Sequence, residues 1–125
     1  MPVRKILIVD DSATNRHGLS EMLARHGYKC SLASSGKEAI EKAKTEKPDM
    51  ILMDVVMPDM DGFQATRAIT RDEETKHIPI ILCTGFSEVV DGKEAKAMGI
   101  QEFMMKPFSA RQLAETIRRI LGARD

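Results

Sequence analysis

A chain of 125 residues fits one compact domain, residues 1–125, and leaves no room for a second. Its 19 basic and 19 acidic side chains cancel, so the net charge argues for neither nucleic acid nor a membrane surface as a partner. No apolar run approaches the roughly 18 residues of a membrane span, and the stretch after Met1-Pro2-Val3-Arg4-Lys5 is too short for a signal peptide, so a cytoplasmic location is expected.

Ile6-Leu7-Ile8-Val9 is continuously apolar and reads as a strand buried on both faces. Leu19, Met22, Leu23 and His26 then recur on one helical face, and Gly27 is placed to cap that helix. Cys30-Ser31-Leu32-Ala33 is a weaker strand, as edge strands often are. Ser35-Gly36-Lys37-Glu38 has the spacing of a capping box, and Ile40 and Ala43 continue the apolar side of a second helix. Met50-Ile51-Leu52-Met53 is a further buried strand closed by Asp54, and Phe63, Thr66 and Ile69 mark a third helix. Ile78-Pro79-Ile80-Ile81-Leu82-Cys83 carries its proline near the start, where a missing N–H is tolerated. A less regular helix is expected from about Ser87 to Met98, stopping at Gly99, followed by the weak strand Glu102-Phe103-Met104-Met105. Ser109-Ala110-Arg111-Gln112 opens the last helix, with Leu113, Ile117, Ile120 and Leu121 inward and Gly122 at its end.

Strand and helix therefore alternate through five units. Successive βα units joined by right-handed crossovers give an α/β, doubly wound (βα)5 fold with a parallel sheet and helices on both faces. Sheets of this kind bind ligands outside the carboxyl ends of their strands. At those ends stand Asp10 and Asp11, Asp54, Thr84 and Lys106. Together they would form a shallow acidic cup with one hydroxyl and one ammonium at its rim.

Carboxylates at roughly 4 Å repel by about 4 kcal/mol per pair at an effective dielectric near 20. Protons or a divalent cation would relieve that repulsion. Oxygen ligands without thiolate or imidazole suit magnesium. A cation there would also neutralise an incoming phosphoryl group and let a carboxylate attack phosphorus, with Lys106 and Thr84 contacting other phosphoryl oxygens. Taken singly, Asp10 and Asp11 are also explained as helix caps, Asp54 as a turn residue, and Lys106 as a surface lysine. Their joint placement at four strand ends is what points to a site.

These motifs closely resemble the response-regulator receiver (CheY-like) family over essentially the whole chain. The resemblance rests on Ile6-Leu7-Ile8-Val9-Asp10-Asp11, Leu52-Met53-Asp54-Val55-Val56-Met57-Pro58-Asp59-Met60-Asp61-Gly62, Thr84-Gly85 and Lys106-Pro107. It implies the flavodoxin-like, five-stranded order 2-1-3-4-5. By position it implies Asp54 as phosphoryl acceptor. Direct magnesium ligands would be Asp11, Asp54 and the backbone carbonyl of Val56, with Asp10 contributing through water. Thr84 matches the switch hydroxyl, Lys106 the phosphoryl-contacting lysine, and Gly85 a small residue that leaves phosphate access. Phe103 matches the aromatic switch position, and the Lys106-Pro107 peptide is similar to one that is usually cis in the family.

In that scheme the donor is a histidine kinase or a histidine phosphotransfer protein. The signal leaves through the face made by the fourth helix, fifth strand and fifth helix, toward an unknown protein partner. Because no output domain follows the fifth helix, the signal is expected to pass by protein contact or by onward phosphoryl transfer, from a monomer or a phosphorylation-dependent dimer. The chain is then a phosphoryl acceptor and not a turnover enzyme. A pseudo-receiver that docks without phosphate is the main rival. A magnesium phosphatase is disfavoured by Val56, where such enzymes carry a second aspartate, and a flavin carrier would have no use for the acids. Gly62-Phe63-Gln64-Ala65-Thr66-Arg67 resembles stand-alone regulators of twitching motility, whereas Leu82-Cys83-Thr84-Gly85-Phe86-Ser87-Glu88 resembles receivers of hybrid kinases. Cys30 and Cys83 would lie three strand steps apart, about 14 Å, beyond the roughly 7 Å a disulfide allows.

Overall fold

The structure is a computed structural model that describes residues 4–57, 60–84, 100, 102–105 and 108–122. Its elements are β1 (Lys5–Val9), α1 (Ala13–Arg25), β2 (Lys29–Ala33), α2 (Gly36–Glu46), β3 (Met50–Asp54), α3 (Gly62–Arg71), β4 (Ile80–Thr84), β5 (Glu102–Met105) and α4 (Ala110–Gly122). The helix expected between about Ser87 and Met98 lies outside the described residues, so α4 is the expected fifth helix.

All five strands pair in parallel, in the order β2-β1-β3-β4-β5. This is the sheet order that the motifs implied. Register runs Ile6 to Met50 and Val9 to Met53 between β1 and β3, then Asp54 to Cys83 between β3 and β4. Central β3 is buried at every residue, whereas edge strand β2 is buried only at Ala33. That contrast follows from covering a parallel sheet on both faces.

Side chains alternate between two cores. Leu7, Val9, Ile51, Met53, Ile80 and Leu82 pack with Ala39 and Ala43 of α2 and Ala65 and Ile69 of α3. Ile6, Ile8, Met50, Leu52, Ile81 and Cys83 pack with Leu23 of α1 and with Leu113, Ile117, Ile120 and Leu121 of α4. Cys30 on β2 and Cys83 on β4 are not joined in a disulfide and have two strands between them, and burial pushes the Cys30 thiol pKa up.

Local chemistry fixes the helix ends. Gly27, at φ +89°, follows the end of α1, and there the Tyr28 N–H bonds the Leu23 carbonyl at 3.1 Å while the Gly27 N–H bonds Ala24 at 3.0 Å. This paired closure is the Schellman arrangement. Ser35 caps α2 by accepting the Glu38 N–H at 3.1 Å, but the Glu38 carboxylate bonds the Ser34 N–H at 2.8 Å. The expected box is thus displaced by one residue, because the long glutamate side chain reaches past the cap. A reciprocal box that the sequence reading did not name opens α3, where Asp61 and Gln64 exchange bonds of 2.9 Å. Ser109 and Gln112 exchange bonds of 2.8 and 3.0 Å at the start of α4.

The fourth strand begins two residues later than its apolar run. Ile78 closes a turn by bonding the Thr75 carbonyl at 3.0 Å, and Pro79 offers no N–H to the ladder, so pairing starts at Ile80 and extends through Thr84. Within that turn the buried Thr75 hydroxyl donates to the Ile69 carbonyl at 2.6 Å. Asp72 accepts from the Glu74 N–H at 2.9 Å and pairs with Lys44 at 3.1 Å, contacts that hold its carboxyl below the usual range. A carboxyl depressed on folding adds stability above its unfolded pKa, which is lost as pH falls through the folded one. Among the described residues, no helix is long and apolar enough to cross a membrane.

Among the described residues, one interior side-chain group goes unsatisfied. Thr66 is fully buried in α3 and its hydroxyl has no hydrogen-bond partner. Replacing an unpaired buried hydroxyl with a methyl of the same shape removes a desolvation cost of about 1–3 kcal/mol. Thr66→Val is therefore expected to raise the urea midpoint, by the equivalent of about 1 kcal/mol or more. A lowered midpoint would mean that the hydroxyl finds a partner in solution.

Candidate functional site

The Val9–Met53 register puts the next residue of each strand side by side, and those residues are Asp10 and Asp54. Asp11 completes the group. One ligand oxygen from each of the three carboxylates lies within 4.8 Å of the others. Asp10 and Asp54 are only 3% and 9% exposed, whereas Asp11 faces solvent. The acids read separately from the sequence therefore meet in one place.

Asp10 is fixed through three of its groups. Its N–H donates to the Ala33 carbonyl at 3.1 Å, its Oδ1 accepts the Ser12 N–H at 2.8 Å, and its carbonyl accepts the Arg16 guanidinium at 2.6 Å. The cap of α1 is Ser12, whose hydroxyl accepts the Asn15 N–H at 3.3 Å. Neither aspartate is spent as the helix cap.

Asp54 ends β3, and the chain behind it is held from two sides. The Val55 N–H bonds the Cys83 carbonyl at 3.0 Å, and the Val55 carbonyl accepts the Gly62 N–H at 2.9 Å. A Cβ on Gly62 would collide with the Asp54 carbonyl oxygen and stand 2.9 Å from Val55 Cα. Only glycine lets the start of α3 approach the acid-bearing backbone this closely.

Under the carboxylates lies a small apolar cavity lined by Ile8, Leu19, Leu52, Cys83 and Phe108 along with Asp10 and Asp54. An apolar floor solvates charge poorly. At about 4–5 Å and an effective dielectric near 20, each pair of like charges costs roughly 3–4 kcal/mol. Three hard oxygen ligands with no thiolate or imidazole fit a magnesium-sized cation, which would cancel that repulsion.

The remaining candidates are placed unevenly. Val56 is 49% exposed beside the acids. Thr84 is the last residue of β4, so it closes the strand where the sequence reading had it follow, and its side chain lies outside the described residues. Gly85, Lys106 and Pro107, and with them the expected cis peptide, also lie outside them. Phe103 is half-buried against the core formed with α2 and α3. The sequence reading missed Arg16, the steric role of Gly62, and Phe108. Of these, Arg16 left a trace, since a cation near a helix N-terminus runs against the helix dipole and calls for a compensating acceptor.

Comparison with known proteins identifies a family and a fold. Residues 6–118 match the response regulator receiver domain family. The chain is 42% identical over 118 residues to protein PilH of Pseudomonas aeruginosa, covering 94% of this chain and 98% of that protein. The Vibrio cholerae chemotaxis protein CheY4 superposes with a TM-score of 0.87 at 35% identity, covering 94% and 98% of the two chains. The receiver domain of the sensor histidine kinase PA1611 from Pseudomonas aeruginosa, solved with magnesium coordinated in its active site cleft, gives a TM-score of 0.86 at 31% identity, covering 97% and 99%.

Two glycine-to-alanine changes should act in opposite directions. Gly62→Ala forces backbone to move beside Asp54 and should cost about 1–3 kcal/mol of unfolding free energy. Gly18, exposed within α1 with nothing within 4 Å of its would-be Cβ, should gain about 0.5–1 kcal/mol as alanine. Urea unfolding of both variants checks the pair, and a Gly62→Ala protein as stable as the parent would show that the close approach is not needed.

Proposed function

The chain belongs to the response regulator receiver domain family, the signalling domains of two-component systems, and we propose that it signals by accepting one phosphoryl group on Asp54 beside bound magnesium. The observation that carries this reading is the convergence of Asp10, Asp11 and Asp54 within 4.8 Å at the carboxyl ends of β1 and β3. Asp11, Asp54 and the Val56 carbonyl would hold the ion, with Asp10 acting through water. Magnesium, when bound, supplies positive charge that offsets the acids and the arriving phosphoryl oxygens.

The chain's own residues do the rest. An Asp54 carboxylate oxygen forms a bond to phosphorus while the donor's phosphorus–nitrogen bond breaks, the donor being a phosphohistidine of a kinase or phosphotransfer protein. Asp10, fixed by Ala33, Ser12 and Arg16, keeps its carboxylate turned toward the acceptor. Lys106 pairs with a phosphoryl oxygen, Gly85 leaves room for it, and the Thr84 hydroxyl follows it. Phe103 then repacks and changes the surface that a protein partner reads. On this reading the chain works in the cytoplasm as a phosphoryl acceptor, not a turnover enzyme.

Incubation with acetyl phosphate and magnesium should add the mass of one phosphoryl group, and Asp54→Asn should add none. A parent chain that gains no mass would instead be a docking module that works without phosphate. Half-exposed Val56 offers attacking water no hydrogen-bonding group, and Phe86 is likewise apolar. The acyl phosphate should therefore outlast many seconds in the purified protein, and loss of label within seconds would contradict this.

A further inference from the structure

Among the described residues, Arg16 is a basic side chain that the structure ties directly to the loop carrying the acids. Its guanidinium donates to the Asp10 carbonyl at 2.6 Å, and the side chain is half-buried. Since that carbonyl and the Asp10 carboxylate belong to one residue, covalent geometry holds the cation within roughly 8 Å of the ligand oxygens. We propose that Arg16 tilts the acid site away from the metal cation and toward an incoming phosphoryl anion. The inference rests on the proposed phosphoryl-acceptor reading and deepens it.

Beyond the bond to the Asp10 carbonyl, the helix itself gives no reason for the placement of Arg16. It is the fourth residue of α1, where the helix dipole disfavours a cation, and the first turn holds no acidic residue. The positions three and four residues away along the helix are Ala13, Leu19, Ser12 and Ser20, so no helical ion pair holds it. Among the described residues, the Asp10 carbonyl is the acceptor it engages. A guanidinium carries five N–H donors in a planar fork and stays charged at any relevant pH. One end fixes the loop, leaving the rest of the fork for anionic oxygens.

Charge and scaffold roles predict different outcomes. A fixed positive charge at this distance weakens binding of a doubly charged cation roughly three- to tenfold at low ionic strength, and strengthens binding of an anion. A purely structural arginine would, when removed, loosen the Asp10–Asp11 loop and weaken both. Arg16 is a positioning residue on either view, but only the electrostatic role gives opposed shifts.

The test is calorimetric titration of the parent, Arg16→Gln and Arg16→Lys chains with magnesium, then with beryllofluoride at saturating magnesium. Arg16→Gln should bind magnesium roughly three- to tenfold tighter and beryllofluoride correspondingly weaker, with both differences shrinking as salt is raised. Arg16→Lys, which keeps the charge, should stay near the parent. Magnesium affinity that is unchanged or lower in Arg16→Gln, or the two ligands shifting in the same direction, overturns the inference alone. A parent chain that binds no magnesium, or whose binding survives Asp11→Asn, overturns the site reading and this inference with it.

Discussion

The parallel register between β1 and β3 is the constraint on which the site depends. Val9 stands opposite Met53, so Asp10 and Asp54 emerge side by side where the two strands leave the sheet. A slip of one residue would send each apolar side chain to the other face and separate the acids by the same step. What resists that slip is the burial of Ile6, Leu7, Ile8 and Val9 against Met50, Ile51, Leu52 and Met53, all at or below 2% exposure. Apolar packing across the sheet thus does the work of holding like charges together.

That arrangement runs against electrostatics, and the local chain shows how it is kept. Asp10 is tied through its N–H, carbonyl and carboxylate, so it cannot swing away from its neighbours without losing hydrogen bonds. Asp54 is backed by Gly62, which the start of α3 presses against the Asp54 carbonyl, and the Asp61–Gln64 box fixes where that helix begins. Preorganisation of this kind leaves a concentrated negative charge ready for a cation, with no folding step left to complete.

The alternation of apolar runs with helical periods was enough to read the parallel sheet, and the acids at strand ends were enough to expect that they converge. Both signals are local in sequence and repeat along it. What escaped notice depends on backbone atoms or on space. The Arg16 contact ends on a carbonyl, which every residue possesses, so a cation at a helix start signals the need for an acceptor without naming it. Gly62 was visible only as part of a motif, because its reason is the distance to Val55 Cα across the turn. The start of β4 was misplaced since Ile78 is as buried as a strand residue while its N–H closes a turn. The resemblances to stand-alone regulators and to kinase-borne receivers also stay side by side, as CheY4 and the PA1611 receiver superpose almost equally well. Both share this fold, so the fold does not separate them.

Alternation also limits how the site can speak to the surface. Asp54 follows Leu52 and Met50 on the α1 and α4 side, where it shares a cavity lining with Cys83 and Phe108. Phe103, opposite Leu82 in register, packs with the α2 and α3 side of the sheet. The acceptor and the aromatic proposed to respond to it therefore lie on opposite faces of one sheet. Strands packed at interior density do not let side chains pass between faces. Any coupling between Asp54 and Phe103 in the proposed switch has to go around the carboxyl edge, where β4 ends at Thr84.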